Sequence, residues 1–202
     1  MSIINKLHTA WSVSLDLVKD RGYDVNDNYR KLTAIDVNYL LINNKLNIIA
    51  KKDLDNKIIY VIFIHGDKVK LSSIKEIYNK INSKSPDNLE TNILFITIAK
   101  PSSSILKLEK NSEFPNIQIM WYLNFQLNPT KHILVPKHTR LNQDETGYIL
   151  SKFKVKHKNQ FPVLLKSDII ARYYNFKRGE IIKIEDNTLP LNTQYITYRI
   201  VN

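Results

Sequence analysis

The chain contains no cysteine. That excludes a disulfide scaffold, a thiol nucleophile and any Cys-ligated zinc or iron–sulfur site, and it is compatible with a reducing compartment. Glycine is scarce as well: Gly22, Gly66, Gly147 and Gly179 are the only four and lie far apart. No glycine-rich phosphate loop can be built from them. No apolar run reaches the ~18 residues of a membrane-spanning helix, so none is expected. The opening residues Met1–His8 have no charged region followed by a continuous apolar one, so a secretory signal is not expected either. The 5 histidines are scattered, and His132 and His138 flank Pro136 at a spacing that one helix face cannot present to a metal. No Ser/His/Asp set or paired-carboxylate site stands out. The expectation is therefore no catalytic residue, no metal ligand, no cofactor and no small-molecule substrate.

What is abundant is positive charge. The 202 residues carry 30 Lys and Arg against 19 Asp and Glu, a net +11, with 43% hydrophobic and 24% charged residues. The apolar fraction suffices for a buried core. The charge is uneven: residues 1–130 hold 17 basic and 13 acidic side chains, net +4, and residues 131–202 hold 13 and 6, net +7. A basic surface favours nucleic acid, acidic protein patches or anionic lipid. Heavy use of Lys, Ile and Asn also fits an AT-rich genome.

Hydrophobic spacing predicts the elements in order. Ile4, Leu7, Trp11, Leu15 and Val18 mark a helix capped by Ser2 and ended at Gly22. A second helix is expected from Asn26 or Asp27 through Leu32, Ile35 and Tyr39. Strands at 46–50 and 57–64 flank Asp53-Leu54-Asp55-Asn56 as a hairpin, and the second, nearly all apolar, reads as covered on both faces. A helix through Ile74, Ile77, Tyr78 and Ile81, a polar loop at 83–92, a strand at 93–98, a helix opened by Pro101-Ser102-Ser103-Ser104 and a strand at 117–122 follow. This alternation predicts an α/β layer structure for the first 130 residues. Asn128-Pro129-Thr130 reads as the boundary between domains 1–130 and 131–202. In the second, 132–138 is expected to be extended, Asn142 to cap a helix through Phe153, Lys152, Lys154, Lys156 and Lys158 with His157 to form a basic connector, and Ser167-Asp168 to cap a short helix over 169–174. Strands at 179–185 and 194–201 complete a small α+β unit.

Three blocks carry a family resemblance: His132-x-Leu-Val-Pro-Lys-His138; Asp168-x-x-Ala-Arg-Tyr-Tyr-x-x-Lys-Arg-Gly179 followed by Glu-Ile-Ile-Lys-Ile184; and Tyr195-Ile-Thr-Tyr-Arg-Ile-Val201. Together, in this order and position, the chain resembles the fifth subunit of eukaryotic-type DNA-directed RNA polymerases, whose C-terminal module corresponds to a small archaeal RNA polymerase subunit. Trp11, the run Asp20-Arg-Gly-Tyr23 and Lys100-Pro-Ser-Ser103 match the eukaryotic type's N-terminal part. The family's usual Asp-Pro is Asp168-Ile169 here and its usual Gly is Asn175, the residue that best tolerates a left-handed turn after Gly. The loop from Glu185 to Pro190 lacks the family's Arg-x-Ser-Glu-Thr pattern, which puts any partner contact of that loop in question.

The resemblance implies a non-catalytic subunit of the polymerase: an N-terminal α/β jaw domain with restriction-endonuclease-like layering near downstream DNA, and a C-terminal α+β assembly module docked on the largest subunit and beside other polymerase subunits. It implies partner-binding residues His132, Pro136, His138, Arg172, Tyr173, Lys177, Arg178, Tyr198 and Arg199, and sequence-independent DNA proximity for Lys100, Ser102 and Ser103, with no membrane contact. Location would be the nucleus for a cellular polymerase, or the virion or host cytoplasm for a large DNA virus. The plain readings of the same residues are core aromatics beside solvated cations at 172–178, and ordinary helix capping at 102–103. Two other functions stay open on the residues alone. One is a free-standing nucleic-acid-binding transcription regulator. The other is a magnesium-dependent nuclease using Asp55-Asn-Lys57 with Asp36.

Overall fold

A computed structural model describes residues 2–52, 55–84, 89–186 and 195–202. The chain forms two compact units, Met1–Leu127 and Asn128–Asn202.

The first unit opens with α1, Ile3–Asp20, whose Ser2 hydroxyl accepts from the Asn5 amide at 3.3 Å. Its apolar positions bury Leu7, Trp11, Leu15 and Val18. The helix ends on two backbone bonds, Gly22 N–H to the Lys19 carbonyl and Tyr23 N–H to that of Val18. This Schellman pair needs a left-handed residue, and Gly22 supplies it at φ 85°. The single second helix expected from Asn26 is instead two pieces. A 3-10 turn, Asp27–Lys31, is capped by Asn26, and α2, Ala34–Ile42, is capped by a reciprocal Thr33–Asp36 box. Thr33 and Asp36 together satisfy two backbone amides, which favours restarting the helix over continuing it.

The sheet comprises β1 (Asn47–Lys52), β2 (Lys57–Ile64), β3 (Glu90–Thr97) and β4 (Ile117–Trp121), hydrogen-bonded in that order. β1 and β2 form the expected antiparallel hairpin, with Asn47 opposite Ile62 and Lys52 opposite Lys57, while β2, β3 and β4 are parallel. Residues 53 and 54 of the turn lie outside the described residues, as do 85–88 of the polar loop. Period-two alternation splits the apolar strands between two faces. Ile62, Ile93, Phe95, Ile117 and Ile119 face Ile74 and Tyr78 of α3 (Leu71–Asn82) and Ile105 of α4 (Ser103–Leu106). The other face takes α1: Phe63 meets Trp11 with ring centroids 5.8 Å apart, and Arg21 donates to Gln118 at 2.8 Å. Helices on both faces explain why β2 and β3 are apolar almost throughout.

The second unit has a four-stranded sheet of β5 (Lys137–Arg140), β6 (Val163–Leu164), β7 (Ile181–Asp186) and β8 (Tyr195–Val201), ordered β5-β7-β8-β6. β5–β7 and β7–β8 are antiparallel and β6 runs parallel to β8. α5, Gln143–Lys152, starts on an Asn142–Glu145 capping box, and α6, Ile169–Tyr174, on Asp168. Leu164, Ile170, Ala171, Phe176, Ile182, Ile184 and Val201 are its core. Residues 132–138 are not extended throughout. His132 to Val135 fold into a turn, closed by the Val135 amide on the His132 carbonyl at 2.9 Å, and strand structure begins only at Lys137. The two-residue strand β6 has no hydrophobic period of its own and is defined by pairing with β8. No described helix is long and apolar enough to cross a membrane.

Candidate functional site

The residues from Asp168 to Lys183 form a continuous structural device. Asp168 Oδ1 accepts from the amides of Ile170 at 2.8 Å and Ala171 at 3.3 Å, satisfying two of the donors that a helix start leaves free. One and a half turns later α6 stops at Asn175, left-handed at φ 52°. The amides of Asn175 and Phe176 return to the carbonyls of Arg172 and Ala171, the same bond pair that ends α1. Asn thus fills a left-handed place for which the resemblance implies Gly, because its short polar side chain tolerates that region. The chain then turns through Lys177 to Glu180. Glu180 Oε2 accepts from the Lys177 amide at 2.7 Å, and Gly179 at φ 82° sends its N–H to the Val201 carbonyl at 2.9 Å.

The aromatics of this stretch point inward or stack on one another. Tyr173 is 2% exposed and packs edge-on to Tyr174 at 5.2 Å, and Tyr174 stacks on Phe176 at 5.3 Å and 16°. Free ring faces for bases are therefore not presented by Tyr173. Lys177 and Arg178 are exposed, and Arg172 is half-buried.

His138, Pro136 and Tyr174 come together with Thr130, Val135, Lys137 and Ile170 around a cleft of about 140 Å³. His138 Nδ1 lies 2.8 Å from the Pro136 carbonyl. Burial holds the His138 imidazole below its ordinary pKa, more than the Pro136 hydrogen bond and the Asp168 charge raise it. Beside the cleft, Ile133 and Leu134 are 83% and 73% exposed, and His132 is exposed between them and Lys131. Arg178 belongs to a second cavity, about 390 Å³, with Val163 and the chain's last residues Ile200 to Asn202. Arg199 donates to the Val163 carbonyl at 3.1 Å. Tyr198 stands apart from these: it is paired with Lys183 and projects from the sheet face opposite Ile182 and Ile184. The nine predicted partner-binding residues thus divide among three places. The exposed Ile133 and Leu134 were missed, although two apolar residues beside a proline in a polar context are a readable sign.

In the first unit, Lys100, Ser102 and Ser103 are exposed after the C-terminal end of β3. Ser102 caps α4 through its carbonyl, which accepts from Ile105 and Leu106, while its hydroxyl makes no capping bond. Ordinary helix capping was the plain expectation, and it is met by the Ser102 carbonyl rather than its hydroxyl. Lys100 Nζ lies 5.9 Å from the Trp121 ring centroid, and Trp121 is anchored by its indole N–H on the Ile98 carbonyl at 3.1 Å.

The nuclease carboxylates are engaged in local structure. Asp55 pairs with Lys52 across the hairpin, which holds its carboxyl below the usual range, and Asp36 is fixed in the Thr33 box. Among the described residues no cluster of three His, Asp or Glu groups could hold a metal. Residues 187–194, which include most of the 185–190 segment in which the expected family pattern is missing, lie outside the described residues.

Comparison with known proteins identifies this arrangement. Residues 127–201 match the family model "RNA polymerase Rpb5, C-terminal domain". Over 98% of its length the chain is 29% identical to "DNA-directed RNA polymerases IV and V subunit 5B" of Arabidopsis thaliana, of which 90% is covered. It is 28% identical to "DNA-directed RNA polymerases I, II, and III subunit rpabc1" of Dictyostelium discoideum over 99% of both chains. A Caenorhabditis elegans relative, "DNA-directed RNA polymerases I, II, and III subunit RPABC1", is 28% identical over 76% of this chain and 71% of its own. The device built on Asp168, Asn175 and Gly179 lies wholly inside the matched domain, and similarity runs through both units: residues 127–201 match the C-terminal domain of the fifth-subunit family, and the chain as a whole is similar to fifth subunits of eukaryotic-type DNA-directed RNA polymerases.

Proposed function

We propose that the chain is a non-catalytic structural subunit of a DNA-directed RNA polymerase, with residues 128–202 docked on the largest subunit and residues 1–127 forming a jaw beside downstream duplex DNA. The observation that carries this reading is similarity to polymerase fifth subunits over nearly the whole chain, with the C-terminal family model covering 127–201. Its partners are other polymerase subunits and its place of work is the nucleus. The phosphodiester chemistry belongs to those other subunits.

Docking on the largest subunit draws support from the surface around the His138 cleft. Ile133 and Leu134 offer an apolar centre, and His132, Lys137 and Lys177 offer a polar rim, the usual anatomy of a protein interface. Arg172 and Tyr173 act one layer back, holding α6 in place, Arg178 and Arg199 extend the contact along the sheet, and Tyr198 meets a partner from the reverse face. The jaw reading, with a layering like that of restriction-type endonucleases, rests on the parallel β2-β3-β4 sheet with helices on both faces. Lys100, Ser102 and Ser103 at the end of β3 would meet phosphates without reading sequence. Cross-linking mass spectrometry on the assembled enzyme tests both halves. Links from Lys137 and Lys177 to the largest subunit, with Lys100 protected by duplex DNA, are the expected result. Links from those lysines only to other proteins contradict the docking assignment.

A further inference from the structure

The face of the second unit that bears Tyr198 carries an aromatic cluster of which the docking reading uses Tyr198 alone. Phe153, just past the end of α5, is 52% exposed. Its ring centroid lies 5.7 Å from Tyr198 and 6.5 Å from Phe161, and Phe161 lies 6.4 Å from Tyr198. Tyr148, five residues earlier, is 64% exposed, and Ile196, two residues before Tyr198 on the same strand face, is exposed too. Exposed contiguous apolar surface of this kind marks an interaction site more often than isolated apolar residues do.

The charge of the adjoining connector is of one sign, and the acid on this sheet face, Glu185 opposite Ile196, is held by Lys137 and Lys183. Between Glu145 and Asp168 there is no acidic residue, and Lys152, Lys154, Lys156, Lys158 and Lys166 fall in that interval. The first four are exposed and none forms an ion pair with a described acid; Lys152 instead lies 5.9 Å over the Tyr148 ring. These lysines lie on the connector that holds Phe153 and Phe161, so the apolar centre is flanked in sequence by ammonium groups. The geometry also distinguishes between polyanions. Phe153 meets its neighbours edge-on, at 83° to Phe161 and 61° to Tyr198, and Phe161 is tilted 56° to Tyr198. Rings packed edge to face do not present the row of open parallel faces on which successive bases stack. The interval contains no arginine, the residue best shaped to grip phosphate with a fork of donors. Ile196 adds aliphatic surface suited to a side chain.

We propose that the Phe153–Phe161–Tyr198 face binds an acidic polypeptide segment that lays large apolar side chains on the rings and its carboxylates among Lys152 to Lys158. The proposal does not depend on the docking reading. By strand alternation this face is the reverse of the sheet side that holds α6.

Fluorescence anisotropy with the full-length chain tests it. The probe is a labelled peptide in which Phe and Leu alternate with Asp and Glu, compared with an oligo-glutamate and an oligothymidylate of equal length. The mixed peptide is expected to bind most tightly, and to weaken with added salt. Phe153→Ser is expected to lower its affinity about tenfold, and Lys156→Glu with Lys158→Glu about tenfold again, while Lys84→Glu with Lys110→Glu, the same charge change in the first unit, leaves it unaltered. The lysine pair lies on the surface, so it keeps the test valid even where Phe153→Ser perturbs folding. Oligo-glutamate binding as tightly as the mixed peptide, or no loss on both the phenylalanine and lysine substitutions, overturns the proposal. Tighter binding of oligothymidylate with the same sensitivities overturns it in favour of single-stranded nucleic acid.

Discussion

The guanidinium of Arg140 lies 5.5 Å from the centroid of Phe176, and the same side chain reaches Glu180 Oε2 through Nε at 3.0 Å. Its Nη2 also donates to the Asn175 carbonyl at 3.4 Å. One residue of β5 thereby grips three residues of the α6–β7 turn. The ion pair is half-exposed and contributes little by itself, whereas the cation–π contact is worth about 0.5–1 kcal/mol. Arg140→Ala is expected to lower unfolding free energy by about 1 kcal/mol in urea titrations. Arg140→Lys is expected to restore less than half of that, since an ammonium cannot stack or fork. An unchanged denaturation midpoint for Arg140→Ala would refute the tether.

Asn175 occupies a left-handed position at φ 52°, as do Asn44 at 54° and Lys154 at 53°. Each closes a helix with the bond pair that Gly22 closes for α1. Asn175→Gly is therefore expected to be neutral or to gain a few tenths of a kcal/mol, and Lys154→Gly to gain about 0.5–1 kcal/mol. Asn175→Val is expected to cost about 1–2 kcal/mol, because a β-branched side chain clashes in that region. Thermal melts of the three variants check the order.

These helix ends show how far the residues can be read alone. α1, α5 and α6 follow from apolar spacing and caps, α3 follows from spacing alone, and α6 falls at its expected limits because Asp168 and the aromatic run both mark it. The hairpin and the parallel order of β2, β3 and β4 fit the apolar strands separated by helices. The break between Asp27–Lys31 and α2 is not legible in the spacing, since it depends on a reciprocal Thr33–Asp36 bond that competes with helix continuation. The turn at 132–135 departs from the extended expectation because Pro136 restrains only the residue before it. β6 could not be found locally, as two residues acquire strand structure only from β8. The aromatic cluster of Phe153, Phe161 and Tyr198 draws on three separate segments, so only the fold reveals it.

His138 links stability to pH. Its folded pKa is depressed by burial below the ordinary ~6.5, so the unfolded chain binds more protons in that range. The stabilising contribution is complete above the unfolded pKa and is lost as pH falls through the folded one. His138→Gln is expected to flatten the decline of stability between about pH 7 and pH 5. Equal slopes for the two proteins in pH-resolved denaturation would remove His138 from the account.

Arg178 and Lys100 separate the two proposed surfaces. Arg178→Glu is expected to weaken incorporation into the polymerase about tenfold and to leave DNA affinity of the assembled enzyme nearly unchanged. Lys100→Glu is expected to do the reverse, lowering the log–log salt slope of DNA binding by about one. The opposite pattern would return the Asp168–Lys183 stretch to a direct nucleic-acid role.

The most direct test of the central claim is affinity purification of the tagged full-length chain from its native source, followed by identification of what co-elutes. The account predicts stoichiometric recovery of the largest subunit with other polymerase subunits, stable to moderate salt. Recovery of the chain alone, or with proteins that include no polymerase subunit, would contradict it.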